Sequence, residues 1–172
     1  MHLSPKIRLA VLALILVCTV GWDQGAKQVA RRTLSGREAV VLPGGWGEFR
    51  LAENPGSFLS LGDSLPEAAR TAVFTIGTGL GLLGLLGYLA LAARLGWLPF
   101  WGLSLVCAGG VSNLIDRITR HGRVCDLILI RFGPFHTGVF NVADMIIMMG
   151  ITLLAWEFGR RPHPQLAQHT KG

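Results

Sequence analysis

The sequence has few charged residues. Asp, Glu, Lys and Arg make up 15% of its 172 residues, whereas soluble domains contain about 25%. Charge is missing from three long stretches and occurs once, as Asp144, in a fourth: residues 9–22, 71–93, 95–115 and 138–156. A helix needs about 20 apolar residues to cross the hydrocarbon of a bilayer. The distribution therefore excludes an ordinary soluble domain.

The four stretches predict an all-α integral membrane protein with four transmembrane helices. We expect the helices at about 7–23, 69–93, 96–117 and 138–158. They would belong to a single membrane-embedded domain, residues 1–160, followed by a tail at 161–172.

Cysteine and histidine are too few and too scattered for a metal centre. There are three Cys and five His, without a Cys-x-x-Cys pair or the spacing of a zinc site. We therefore expect no metal and no other cofactor. The net charge of +6 is compatible with an anionic membrane surface. The sequence has no basic patch interleaved with aromatic residues, so nothing in it indicates a nucleic-acid partner.

The first apolar stretch has a second interpretation. Lys6 and Arg8 before a short apolar core are typical of a secretory signal peptide. The following "CTVGWDQG" offers no A-x-A-like cleavage site, and bulky Val17 precedes Cys18 where a lipoprotein would have a small residue. We favour a retained helix, so that four helices place both termini on one side. Lys6 and Arg8 favour termini inside, although ten of the sixteen basic residues lie on the opposite side.

Two polar excursions separate the helices, at about 24–68 and 118–137. In the first, "DQGAKQVARR" can continue from the first membrane helix as an amphipathic helix. The following "LPGGWGEFRLAENPGSFLSLGD" alternates short apolar pieces with Gly and Pro, which is typical of strands and turns. We expect a small platform outside the membrane.

Polar residues gather at the borders of the apolar stretches. In "NLIDR", Asn113, Asp116 and Arg117 share one helical face, and in "FNVAD" Asn141 and Asp144 are three residues apart. The others are Asp23 and Lys27 after the first stretch, Asn54 in the first excursion and Asp126 in the second. If both excursions emerge on one side, these groups converge at one membrane surface.

Two interpretations of these groups compete. They can be salt bridges, Asp116 with Arg117 and Asp23 with Lys27, and helix-capping asparagines. They can also include a carboxylate pair for acid–base catalysis, in which one proton is shared because two close carboxylates do not both ionise easily. Spacing alone leaves open which two of Asp116, Asp126 and Asp144 form the pair.

The order "D-x-x-x-K", "NPG", "NLIDR", "GRVCD" and "FNVAD" resembles lipoprotein signal peptidase, the bacterial signal peptidase II family of aspartyl proteases. The resemblance implies a periplasmic β-platform and an interfacial helix on the four-helix fold. It also implies that Asp126 and Asp144 are the catalytic pair. The supporting or substrate-binding positions that match the family are Asp23, Lys27, Asn54, Asn113, Asp116, Arg117 and Asn141.

The resemblance further implies an endopeptidase of the bacterial inner membrane, with cytoplasmic termini and the site near the periplasmic face. Its substrates would be diacylglyceryl-modified prolipoproteins, cut on the amino side of the lipidated cysteine, and the cyclic peptide globomycin would inhibit it. Two local departures occur: Cys125 precedes Asp126 where the family has Val, and "SFL" follows "NPG".

Two other classes stay open on the residues alone. A small transporter or channel could relay protons or bind cations through Asp144 and Asp116. Its acidic groups, however, cluster at one membrane edge. An assembly or scaffold protein would use the same polar cluster for packing only.

Overall fold

The computed structural model describes residues 4–55, 65–92 and 95–160. Within these residues, four helical segments are long and apolar enough to cross a membrane, which confirms the predicted membrane fold. The elements are α1 (Pro5–Leu34), β1 (Val40–Val41), β2 (Gly47–Asn54), α2 (Glu67–Ala72), α3 (Thr78–Leu91), α4 (Trp97–Thr119), β3 (Val124–Phe132), β4 (Phe135–His136) and α5 (Val142–Gly159). The predicted tail, residues 161–172, lies outside the described part of the chain.

Helix α1 continues well beyond the apolar stretch that predicted it. Ser4 caps its start by accepting a hydrogen bond from the Ile7 amide at 3.4 Å. The helix passes Asp23 and ends at Leu34, because buried residues recur at helical spacing through Lys27 and beyond. The segment "DQGAKQVARR" is thus the second part of α1, as its predicted continuation from the first membrane helix requires. Residues 56–64 of the same excursion are not among those described.

The second membrane helix is built from three pieces. A π-helical turn, Val73–Gly77, joins α2 to α3, so that residues Glu67–Leu91 form one continuous span. In the π turn each hydrogen bond spans one more residue than in an α-helix, which widens the helix locally.

Helix α4 lies at the centre of the bundle. Of the 18 residues that form its most apolar part, 56% are buried inside the protein, against 11–22% in the other three spans. Its glycines allow α5 to approach: a Cβ on Gly109 would lie 2.6 Å from the carbonyl oxygen of Ala143. A Cβ on Gly150 would lie 2.6 Å from the carbonyl oxygen of Gly102. The close approach brings the start of α5 against the end of α4.

The platform is one antiparallel sheet with the strand order β1-β2-β3-β4. Strand β2 comes from the first excursion and β3 from the second, so both excursions lie on the same side of the bundle. Ala52 is paired with Asp126 and Asn54 with Val124, with a register shift between Phe49 and Ala52. This register turns Asn54 and Asp126 to one face of the sheet.

A tight turn returns the chain from α4 to β3. His121 and Gly122 both have positive φ angles, +53° and +86°. At Gly122 a Cβ would also lie 2.6 Å from the Thr71 hydroxyl oxygen, so a larger residue would press on the second span. The turn places Asp126 a short distance beyond the end of α4.

Candidate active site

Asn141 joins the two candidate catalytic aspartates. Its side-chain nitrogen donates to Asp126 Oδ1 at 2.7 Å. Its backbone nitrogen donates to Asp144 Oδ2 at 3.2 Å, and its side-chain oxygen accepts from the Asp144 backbone nitrogen at 2.9 Å. A single residue therefore contacts both carboxylates, and the two predicted partners lie at one site.

Asp126 is held in place by strand β3. The side chain is only 2% exposed, and its Oδ2 accepts a hydrogen bond from the Asn54 amide at 3.2 Å. Burial raises the pKa of Asp126 to about 6, and the charge of Asp144 acts in the same direction. The hydrogen bonds from Asn141 and Asn54 and the charge of Lys27 act against this increase. A carboxyl group in this condition can gain or lose a proton near neutral pH.

Asp144 is held in place by the first turn of α5. Asn141 and Asp144 form a reciprocal capping box in which each side chain accepts from the other residue's backbone nitrogen. Oδ1 of Asp144 accepts a further hydrogen bond from the Asn113 amide of α4 at 2.8 Å. The Asn and Asp of "FNVAD" thus both cap the start of α5 and fix the position of the Asp144 carboxylate.

Three charged residues form a buried ionic cluster behind the aspartate pair. Lys27 Nζ lies 2.6 Å from Asp23 Oδ2 and 2.8 Å from Asp116 Oδ2, and all three side chains are at most 1% exposed. Asp23 also accepts from the Ala143 backbone nitrogen at 2.9 Å, and Asp116 from that of Cys125 at 3.0 Å. The cluster connects α1 and α4 with the residues that flank each candidate catalytic aspartate.

Of the two salt bridges in the alternative interpretation, that of Asp23 with Lys27 is present, whereas that of Asp116 with Arg117 does not occur among the described residues. Asp116 instead contacts Lys27 and lies 3.7 Å from Arg120 Nε, because neighbouring residues of a helix point about 100° apart. Arg117 interacts electrostatically with Asp116, Asp126 and Asp144. Its Nε atom is buried and has no hydrogen-bond partner within the described part of the chain.

Two further residues of the cluster were not predicted from the sequence. Ser112 donates to Asp23 Oδ2 at 2.7 Å, and Gln24 donates to Asp116 Oδ1 at 3.1 Å. Both are immediate sequence neighbours of predicted residues, Asn113 and Asp23. Neutral side chains of this kind carry no signal by themselves, because Ser and Gln also occur on ordinary helix surfaces.

Cys125 has the properties of a packing residue. Its side chain is 1% exposed, and burial raises the pKa of its thiol. Because the thiolate is the nucleophilic form, a raised pKa makes the thiol unreactive. Across the described ranges, no group of three His, Cys, Asp or Glu side chains could hold a metal ion.

The fold and the convergence of these residues define a class: a membrane protein with four membrane-spanning helices and two carboxylates, one buried and one partly exposed, that meet at one edge of the bundle. Residues 15–160 match the family model described as signal peptidase (SPase) II. The chain belongs to the signal peptidase II family, and it is therefore a membrane peptidase.

Individual relatives agree with this assignment. The chain is 32% identical over 146 residues to a lipoprotein signal peptidase of Solibacter usitatus, covering 84% of this chain and 87% of that protein. It is 33% identical over 147 residues to one of Pelotomaculum thermopropionicum, covering 84% and 89%. A solved bacterial membrane enzyme shares the fold with a TM-score of 0.76 at 22% identity, covering 89% of this chain and 95% of that one.

Proposed function

We propose that this peptidase hydrolyses the signal peptide of diacylglyceryl-modified prolipoproteins with Asp126 and Asp144 as its acid–base pair. The observation that carries the proposal is the contact of Asn141 with both carboxylates. Membership of the family and the names of the relatives support the substrate. The cut would fall on the amino side of the lipidated cysteine.

In the proposed reaction Asp126 is the acid and Asp144 the base. Burial and the neighbouring charge of Asp144 raise the pKa of Asp126 and so favour its protonated form. Asp144 takes a proton from water, whose oxygen attacks the scissile carbonyl, while Asp126 gives its proton to the carbonyl oxygen. The resulting diol collapses, its proton returns to Asp126, and Asp144 passes its own proton to the leaving nitrogen. No covalent intermediate with the enzyme forms.

The other polar residues at the site would bind the peptide and position the pair. Arg117 Nε is buried and has no hydrogen-bond partner among the described residues, so it can donate a hydrogen bond to a substrate carbonyl. Asn54, Asn113 and Asn141 already donate to the carboxylates. A globomycin-type cyclic peptide would inhibit by occupying the same donors.

We also propose the orientation in the membrane. The sheet and the aspartate pair would face the periplasm, and both termini would lie in the cytoplasm of a bacterium's inner membrane. Lipid-modified substrates would then reach the site from the bilayer, in agreement with the four apolar spans.

The test is cleavage of a diacylglyceryl-modified prolipoprotein in detergent, followed as a gel shift with and without globomycin. Asp126→Asn and Asp144→Asn should each lower the rate at least about 1,000-fold, because each removes one partner of a proton transfer. Glu53→Gln is the matched control: this carboxylate neighbours Asn54 but is about half exposed and pairs with Arg123. Substantial processing by either aspartate variant would contradict the proposed pair.

A further inference from the structure

Lys27 is linked to the aspartate pair through two amide side chains. It is fully buried, and its three ammonium protons have three acceptors. Two are the carboxylates of Asp23 and Asp116, at 2.6 and 2.8 Å. The third is Oδ1 of Asn113, at 3.1 Å.

The third contact fixes the direction of the Asn113 amide. An ammonium group has only donors, so the carbonyl oxygen of Asn113 must face Lys27. The NH₂ group of Asn113 then has to face the other way, and it donates to Asp144 Oδ1 at 2.8 Å. With the amide reversed, two donors would meet at Lys27 and two acceptors at Asp144.

The Asn141 amide is fixed in turn. Its NH₂ group donates to Asn113 Oδ1 at 3.2 Å, and its oxygen accepts from the Asp144 backbone nitrogen at 2.9 Å. The remaining proton of the NH₂ group is therefore directed at Asp126 Oδ1, at 2.7 Å. The positive charge on α1 thus fixes the donor to Asp144 and, together with the cap of α5, the donor to Asp126.

We propose that Lys27 is a positioning residue of the peptidase: it sets the direction of the Asn113 amide and, together with the cap of α5, that of the Asn141 amide, so that both carboxylates of the pair accept an N–H at Oδ1. The proton that Asp126 gives and the proton that Asp144 takes are then carried on the Oδ2 atoms, whose hydrogen bonds from Asn54 and the Asn141 backbone are longer, both 3.2 Å. This inference rests on the proposed role of Asp126 and Asp144.

A purely structural role for Lys27 is the alternative, since its ion pairs join α1 to α4. The two roles differ in the pH profile of activity. Lys27 faces Asp23 and Asp116, with Arg120 on the far side of Asp116. Asp126 experiences the charges of Asp144, Lys27 and Arg117. Loss of a positioning lysine would alter the proton affinity of the pair, whereas loss of packing would only lower the amount of active enzyme.

The first measurement is kcat/KM against pH for Lys27→Met. We expect the fall of activity on the alkaline side to move up by about one pH unit, because without Lys27 the Asn113 amide loses its fixed direction and the ionised pair loses a hydrogen-bond donor. Gln24→Leu is the matched control. Gln24 lies on the same helix and donates to the same Asp116, at 3.1 Å, but it contacts neither amide. Its midpoint should stay where the unaltered enzyme has it.

A double-mutant cycle then separates positioning from charge acting through space. If Lys27 acts through Asn113, Lys27→Met combined with Asn113→Leu should shift the midpoint no further than Asn113→Leu alone. Additive shifts, or a midpoint unmoved in Lys27→Met, would overturn the proposal.

If Lys27→Met does not fold, a second variant allows the same test. Lys27→Met with Asp23→Asn keeps the net charge of the cluster, and the same cycle can be run on that background. All of these variants retain Asp126 and Asp144. Failure of the cycle in active enzyme therefore rejects the positioning role alone, whereas full activity of Asp126→Asn or Asp144→Asn rejects the proposed function itself.

Discussion

Amide groups, not cations, make the direct contacts to the aspartate pair. Asp126 accepts from Asn141 and Asn54, and Asp144 accepts from Asn113 and from backbone nitrogen. Among the described residues no Lys or Arg forms an ion pair with either. A directly paired cation would hold a carboxylate ionised, whereas neutral donors leave room for a proton to be retained. Weak stabilisation of the charged form suits residues that must exchange protons.

The first prediction at this scale concerns pH. Because Asp126 has a pKa of about 6 and acts as the acid in the proposed reaction, kcat/KM should fall as the pH rises through about 6. The raised pKa also means that protonated Asp126 stabilises the fold below about pH 4, an advantage lost as the pH rises through about 6.

Asn54→Leu should move this fall in activity to higher pH. The Asn54 amide donates to Asp126 and so lowers its pKa, and Leu removes the donor while keeping the same branched side-chain skeleton. The measurement is the pH profile of prolipoprotein cleavage, with Glu53→Gln on the same strand as control. A shift to lower pH would contradict the assignment of Asp126 as the acid.

Among the elements, α4 is the most tightly packed against a neighbouring helix, α5. Its glycines face α5 at two levels, Gly109 near Ala143 and Gly102 near Gly150. The contact at Gly109 lies one helical turn from Asn113, which donates to Asp144 on α5. The distance between two membrane helices therefore sets a hydrogen bond of the active site.

Gly109→Ala tests this coupling. The added Cβ would lie 2.6 Å from a backbone oxygen and 2.7 Å from Ile147 Cγ1, so α5 must move away. We expect a loss of about 1–3 kcal/mol of stability and a marked loss of cleavage. The control is Gly84→Ala on α3, where nothing lies within 4 Å of the new carbon. Thermal unfolding in detergent and the cleavage assay measure both effects, and equal behaviour of the two variants would show that the helix distance is not limiting.

The sequence predicted elements better than their contacts. Charge-free stretches identify the membrane spans, because inserting a charge in lipid is costly wherever it occurs. The nine predicted site residues lie in or beside the candidate site: seven are polar residues at or near the ends of apolar stretches, whereas Asn54 and Asp126 lie in the two excursions. The partners of Asp116 and the register of Ala52 opposite Asp126 depend on how helices rotate and strands pair across distant segments. Spacing along the chain contains no information on those rotations.

For the whole molecule, the main feature is its two unequal ends. One end carries the sheet and the buried cluster of Asp23, Lys27 and Asp116, and the other carries the start of α1 and the end of α5. At the second end Arg8 donates to the Leu95 carbonyl at 3.3 Å and stacks on the Phe100 ring at 4.7 Å. This polarity agrees with the proposal that the candidate catalytic groups face one compartment.

The orientation can be measured with reporters. Alkaline phosphatase inserted at Gly133 in the β3–β4 turn should be active, because it would lie in the periplasm. A green fluorescent protein fused after the last residue should fluoresce, because it would lie in the cytoplasm. An inactive phosphatase together with a non-fluorescent fusion would show the inverted orientation. That result would not bear on the roles of Asp126 and Asp144, which the cleavage assay tests.

Asn141 also limits how such a peptidase can escape an inhibitor. The residue starts α5, holds Asp144 and directs a donor at Asp126. On the proposed function, a substitution of Asn141 that weakens an inhibitor bound to this amide would also remove the cap of α5 and the donor to Asp126, and so lower the activity. Resistance would have to arise elsewhere, in the supply of substrate or in exclusion of the drug.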